Sequence, residues 1–209
     1  LITFNLVILG LEGNLGVASY GIVANIALVG TSIYTGIAQG IQPLVSKAYG
    51  LKNYDVLRKV LRFAVFISLA LTSLIYLVVF LNTDAIVGIF NSEQNRMIAN
   101  FAKTGLRIYF IGFFFAGINI IMSIYLSSIE QPRSAFIISM ARGCIIIVPM
   151  VLLLSRIWNL TGTWLAFVLT EFIVNIIIIF ITRLKDVPTS IGGGYLFQQQ
   201  AASQNLPSH

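Results

Sequence analysis

Charge is what this 209-residue chain has least of: Asp, Glu, Lys and Arg make up 10%, where a water-soluble domain carries about a quarter. So few charges cannot cover a water-facing surface, which excludes an ordinary soluble enzyme and a disordered chain. The single cysteine, Cys144, lies inside an apolar run, so neither a disulfide framework nor a thiolate metal site is available. The only histidine is the last residue, His209, which leaves no imidazole ligand set. No metal and no organic cofactor is expected. A glycine loop with a phosphate-binding lysine is absent, so direct coupling to ATP has no support. Clustered His, Asp or Glu, which an integral-membrane enzyme would need, are missing too.

What is present is apolar. Hydrophobic residues make up 57% of the chain, and its mean hydropathy is +0.91. A helix crossing the hydrocarbon core needs about 20 mostly apolar residues. Five such stretches can be marked, at 19–48, 60–81, 102–128, 134–155 and 161–184, separated by polar links. The opening run 1–11 has no basic flank, is no signal peptide, and reads as the remaining part of a membrane helix. Lipid cannot satisfy the backbone of an isolated strand, and the alternating ten-residue segments of a membrane barrel do not occur. The fold class is therefore all-α, a polytopic transmembrane helix bundle over 1–184. Residues 185–209, with Gly192–Gly194 and Gln198–Gln200, read as a flexible polar tail.

The net charge of +6 is a topology signal rather than a nucleic-acid footprint. Lys47, Lys52, Arg58, Lys59, Arg62, Arg133, Arg183 and Lys185 fall on one side if the spans alternate. Arg96, Lys103, Arg156 and Arg107 fall on the other. The positive-inside rule makes the first side, with the tail, cytoplasmic.

Polar residues inside the spans are the candidate site. Asn25, Ser32, Thr35, Gln39, Gln42 and Ser46 recur at intervals of three, four or seven and form one stripe along a helix. Such a stripe should face other helices or a water-filled cavity. Gly36 and Gly40 give a GxxxG spacing suited to close helix approach. Pro43 should kink or end its span, and Pro149 should bend another. In 102–128, Gly105, Tyr109, Gly112, Ala116, Asn119, Ser123 and Ser127 form a milder small and polar side. Two ionisable groups lie deep within spans, Arg142 and Glu171. About a turn near Trp158, they stand sixteen residues back and thirteen forward, so their depths differ by about 5 Å at 1.5 Å per residue. They fit either a structural ion pair or a transport site in which Glu171 takes up a proton. Asn175, one turn beyond Glu171, could hydrogen-bond it.

The run GIAQGIQPLVSKAYG at 36–50, continuing LKNYDVLRKVLR, resembles the multidrug and toxic compound extrusion family. VASYGIVANI at 17–26, SSIEQPRSAFIISMARGCIIIVP at 127–149 and TGTWLAFVLTEF at 161–172 fit the same family. The resemblance covers roughly 1–182. It implies a twelve-helix transporter of two six-helix lobes around a cleft, with this chain as the second lobe, its first helix truncated. Its stripe would face the cleft and the missing N-terminal lobe. The implied activity is secondary active antiport, in which a proton or sodium ion is exchanged for an amphipathic or cationic small molecule across the plasma membrane. Where one branch of the family carries a sodium-binding acid in the 102–128 span, this chain has only Asn119. A lipid-linked sugar flippase of the same superfamily is the alternative, weakened because Arg142 is the one cationic candidate inside the cavity. A non-transporting membrane fragment is another.

Overall fold

The computed structural model describes residues 2–91, 94–185 and 187. The tail expected at 185–209 lies almost wholly outside them. The described residues form helices α1 Ile2–Gly50, α2 Tyr54–Leu81, α3 Thr83–Phe90, α4 Arg96–Tyr109, α5 Phe113–Ser128, α6 Pro132–Met140 and α7 Ile147–Leu184. A 3-10 turn, Phe110–Gly112, joins α4 to α5, and a π-helical turn, Ala141–Ile145, joins α6 to α7.

Two of these helices are longer than any single crossing. Helix α1 has 49 residues, or about 74 Å if straight, against a hydrocarbon core of about 30 Å. It folds back at Gly13, whose φ of 62° and ψ of −152° lie in a region open essentially to glycine alone. The fold-back stacks Phe4 on Tyr20, ring centroids 5.4 Å apart. It also brings Gly16 so close to Ile8 that an added Cβ would lie 2.8 Å from the isoleucine side chain. Helix α7 breaks at Trp158 and Asn159. Asn159 takes φ 50° and ψ −132°, close to the Gly13 conformation and one that side chains rarely adopt. There Gly162 packs on the Leu154 carbonyl so tightly that a Cβ would come within 1.9 Å of its oxygen. Four of the described helical stretches are long and apolar enough to cross a membrane, and the opening segment is packed, with Ile8 and Phe4 buried.

Between α2 and α4 the sequence suggested only a polar link, yet α3 forms there. Asn91 and Asn95 brace this corner. The Asn91 side-chain amide donates to the Asn95 carbonyl at 2.9 Å, and Asn95 Oδ1 accepts from the Met97 amide at 2.9 Å to cap α4. An ion pair joins Lys103 to Asp84. The opposite end of the bundle is tied by Lys185 Nζ, which donates to Ser134 Oγ at 2.8 Å and to Gln131 Oε1 at 3.2 Å. The basic cluster of the first and third links therefore gathers at one end, and the turns at Gly13 and Asn159 at the other.

Helix α1 runs through Pro43 to Gly50 instead of ending there. Pro43 is exposed, so the carbonyl it frees lies outside the packed core. Pro149 acts differently. Its ring cannot accommodate the carbonyl four residues back, and the chain absorbs this just upstream in the π-helical turn, where the Ile146 amide reaches the Ala141 carbonyl at 2.9 Å.

Large apolar side chains point outward all round. Phe63, Phe66, Leu74, Phe136 and Phe180 are each more than half exposed. Helix α2 has the most apolar 18-residue window of the four candidate spans, mean hydropathy 2.6, yet only 22% of that window is buried. A water-soluble protein does the reverse, so the surrounding solvent is hydrocarbon.

Candidate functional site

Four polar side chains from three helical segments meet in the interior. Glu171, on the second limb of α7, is 2% exposed and Asn119, on α5, is fully buried. The Asn119 side-chain amide donates to Glu171 Oε2 at 2.7 Å and to the Glu171 backbone carbonyl at 2.8 Å. Arg142 reaches the other carboxylate oxygen from the π-helical turn, with Nε and one terminal nitrogen each 2.9 Å from Oε1. Asn175 donates to Asn119 Oδ1 at 3.3 Å, so it supports the carboxylate's partner and not, as its spacing suggested, the carboxylate itself.

The Arg142–Glu171 contact follows from the α7 break: 29 residues apart, the two would be about 43 Å distant on one straight helix. The wide turn helps too, since its extra residue changes the direction of Arg142 relative to a regular helix. Both carboxylate oxygens are thereby satisfied by named donors, as a buried carboxylate requires.

This cluster borders a cavity of about 440 Å³, within the range of small-molecule sites. Phe4, Tyr20, Tyr109 and Phe167 line it together with Arg142 and Glu171. Tyr109 and Phe167 stack with centroids 3.9 Å apart. Arg142, its side chain 24% exposed, is the charged group with most access to the space. Ser123 lies at the edge, its hydroxyl 3.0 Å from that of Ser139, another lining residue.

The long stripe of α1 is placed elsewhere. Asn25, Ser32, Gln39, Gln42 and Ser46 are exposed and Thr35 is half-buried. Among the described residues the stripe faces no other helix, apart from a 3.4 Å bond from Ser46 Oγ to the Ser128 carbonyl. Its hydroxyls need no partner helix, because Ser32 and Thr35 donate to the carbonyls four residues back at 2.8 and 2.9 Å. Gly36 and Gly40 have open space where a Cβ would stand. Beyond Thr3, Phe4 and Tyr20, the α1 residues that line the cavity are Ala24, Ala27, Leu28 and Thr31, next to the stripe. Sequence reasoning missed these and the rings of Phe4, Tyr20 and Phe167, while Tyr109 was already on the stripe of 102–128. The small side of the 102–128 stretch was the available signal: Gly105 on α4 and Gly112 in the 3-10 turn lie against Trp164 and Phe167, with an added Cβ 2.9 and 2.7 Å from their rings.

A bundle of lipid-facing helices around a polar interior cavity is a transporter-like arrangement, and comparison with known proteins decides between families. The MatE family profile matches residues 1–153. The chain belongs to the MatE family. Multidrug export protein MepA of Staphylococcus aureus strain RF122 is 26% identical over 165 residues, 76% of this chain and 34% of the relative. MepA of Staphylococcus haemolyticus is 29% identical over 175 residues, covering 81% and 36%. The chain thus spans about a third of the length of these curated relatives. An outward-facing and an inward-facing structure of a multidrug resistance MATE family transporter match with TM-scores of 0.82 and 0.81 at 18% identity. Each covers 88% of this chain, and 41% and 42% of the solved chains. The MatE chain described here therefore shares its fold with membrane transporters, and the relatives it matches are exporters rather than enzymes.

Proposed function

We propose that the chain is the second lobe of a cation-coupled multidrug antiporter of the plasma membrane, with its basic end and tail cytoplasmic. Glu171 is the group on which the coupling ion acts. The observation that carries this reading is a carboxylate held by Arg142 and Asn119 at the wall of an aromatic cavity.

The ion is a proton. A sodium ion needs several oxygen ligands, whereas here one carboxylate oxygen already faces a guanidinium and the other an amide. No group of three or more metal-ligating side chains occurs among the described residues. Protonating Glu171 removes the charge that holds Arg142, leaving an unpaired cation at the cavity wall in a low-dielectric setting. That changes both the affinity for charged or amphipathic cargo and the relative stability of the two access states. The fold of the lobe fits outward-facing and inward-facing relatives equally, which supports motion of the lobe as a unit against its partner. The stripe Asn25, Ser32, Thr35, Gln39 and Gln42 then lines the cleft shared with the missing first lobe.

The test is dye efflux from vesicles holding this chain co-assembled with a first-lobe polypeptide, driven by a pH gradient or by a sodium gradient. Glu171→Gln should lower pH-driven efflux by about tenfold or more while membrane insertion is unchanged. Efflux with the wild-type rate and pH profile in that variant would overturn the role of Glu171. Efflux that follows only the sodium gradient would overturn the choice of ion.

A further inference from the structure

The basic end of the bundle and its most apolar helix meet on one face of α2. Leu57, Leu61, Ala64 and Ser68 are buried and fix which side of that helix packs inward. On the other side Lys59, Arg62, Phe63 and Phe66 follow at helical intervals of three, one and three residues, and all four are exposed. Together they line an open hollow of about 300 Å³. It shares no lining residue with the inner cavity.

Position along the helix sets what this hollow meets. From Phe63 to Leu81, α2 carries no Asp, Glu, Lys or Arg. At 1.5 Å per residue that stretch is about 28 Å long, close to the hydrocarbon thickness of about 30 Å. Arg62 therefore stands at the level of the lipid phosphates and Lys59 about 4.5 Å further out. Phe63 and Phe66 lie just inside, at the level of the acyl chains.

Both cations lack a protein counter-charge. Among the described residues neither Lys59 nor Arg62 makes an ion pair, and Asp55, one turn before Lys59, makes none with it. The stretch 186–209 has one acid, Asp186, to offer. A phosphate is the complementary group: a guanidinium donates to two of its oxygens at once, and the ammonium adds a point charge. Lys47 and Lys52 are also exposed, but they do not border the hollow.

We infer that this face of α2 binds one anionic phospholipid, its phosphate held by Arg62 and Lys59 and its acyl chains laid on Phe63 and Phe66. The exposed Leu74 and Leu77 continue the same apolar surface toward the bilayer centre. The site stands apart from Glu171 and does not depend on the coupling role proposed for it.

The test is native mass spectrometry of the full chain titrated with dioleoylphosphatidylglycerol or dioleoylphosphatidylcholine, which share their acyl chains and differ in charge. The anionic lipid should be retained at one tight site and the zwitterionic lipid should not. Lys59→Gln with Arg62→Gln should weaken that retention about tenfold or more, as expected for two cations removed from a charged lipid. Lys47→Gln with Lys52→Gln removes the same charge from the same end and should leave it unchanged. Phe63→Ala with Phe66→Ala should also weaken it. Equal retention of the two lipids overturns the inference, and so does equal weakening by the Lys47 and Lys52 pair, which would reduce the effect to diffuse charge. Displacement of the lipid by an equal concentration of glycerol 3-phosphate, or full retention without the two rings, overturns it in favour of a phosphate-only site.

Discussion

At the scale of single residues, the interior depends on one carboxylate and the donors committed to it. Removing one partner of a buried pair leaves the other uncompensated, whereas removing both can be close to neutral. Glu171→Leu should therefore cost about 3–5 kcal/mol in a detergent-denaturation titration. Arg142→Met should cost at least as much, since it leaves the buried Glu171 carboxylate without its cation. The double variant should cost clearly less than the sum, and strict additivity would show that the pair is not coupled. Asp84 provides a contrast at the surface. The hydrogen bond and charge of Lys103 hold its carboxyl below its ordinary value of 3.8. A depressed acid contributes fully above its unfolded value and loses that contribution only as pH falls through the lower, folded one. Asp84→Asn should therefore leave the pH profile of transport unchanged between about pH 5 and 8. The Arg142–Glu171 pair was legible in the sequence, because ionisable groups inside spans are rare and their distances from the turn nearly match. Asn119 as the carboxylate's second partner was not. It lies 52 residues from Glu171, and nothing in its own stripe sets how α5 is rotated against α7.

At the scale of elements, hydropathy marks stretches long and apolar enough to cross a membrane, because a bilayer dictates both length and composition. It did not locate α3, which is too short to give a clear periodic signal. It also did not show which polar stripe turns inward, since back-bonded hydroxyls suit either environment. Close packing at the turns is equally invisible without coordinates. Gly162→Ala should prevent the α7 fold-back, because its Cβ would meet a backbone oxygen at 1.9 Å, and monodisperse protein should be lost in size-exclusion chromatography. Gly36→Ala, with open space around it, should instead raise the melting temperature of the isolated chain, since alanine is favoured over glycine in a helix by about 0.5–1 kcal/mol.

At the scale of the whole molecule, the chain has polar groups of two kinds: a buried set satisfied within the bundle and an outward set along α1. On the two-lobe reading proposed above, the second set should matter only in the assembled transporter. Gln39→Leu and Asn25→Leu should leave the melting temperature of this chain unchanged while lowering drug affinity once the first lobe is present. A matching loss of stability in the isolated chain would assign the stripe to folding instead. The opening segment 2–12 has a related consequence. By folding back at Gly13 it brings Thr3 and Phe4 to the inner cavity, between that space and the acyl chains. A version of the chain trimmed to begin after this turn would lose the Thr3 and Phe4 wall of that space, and a lipid tail would be its first occupant.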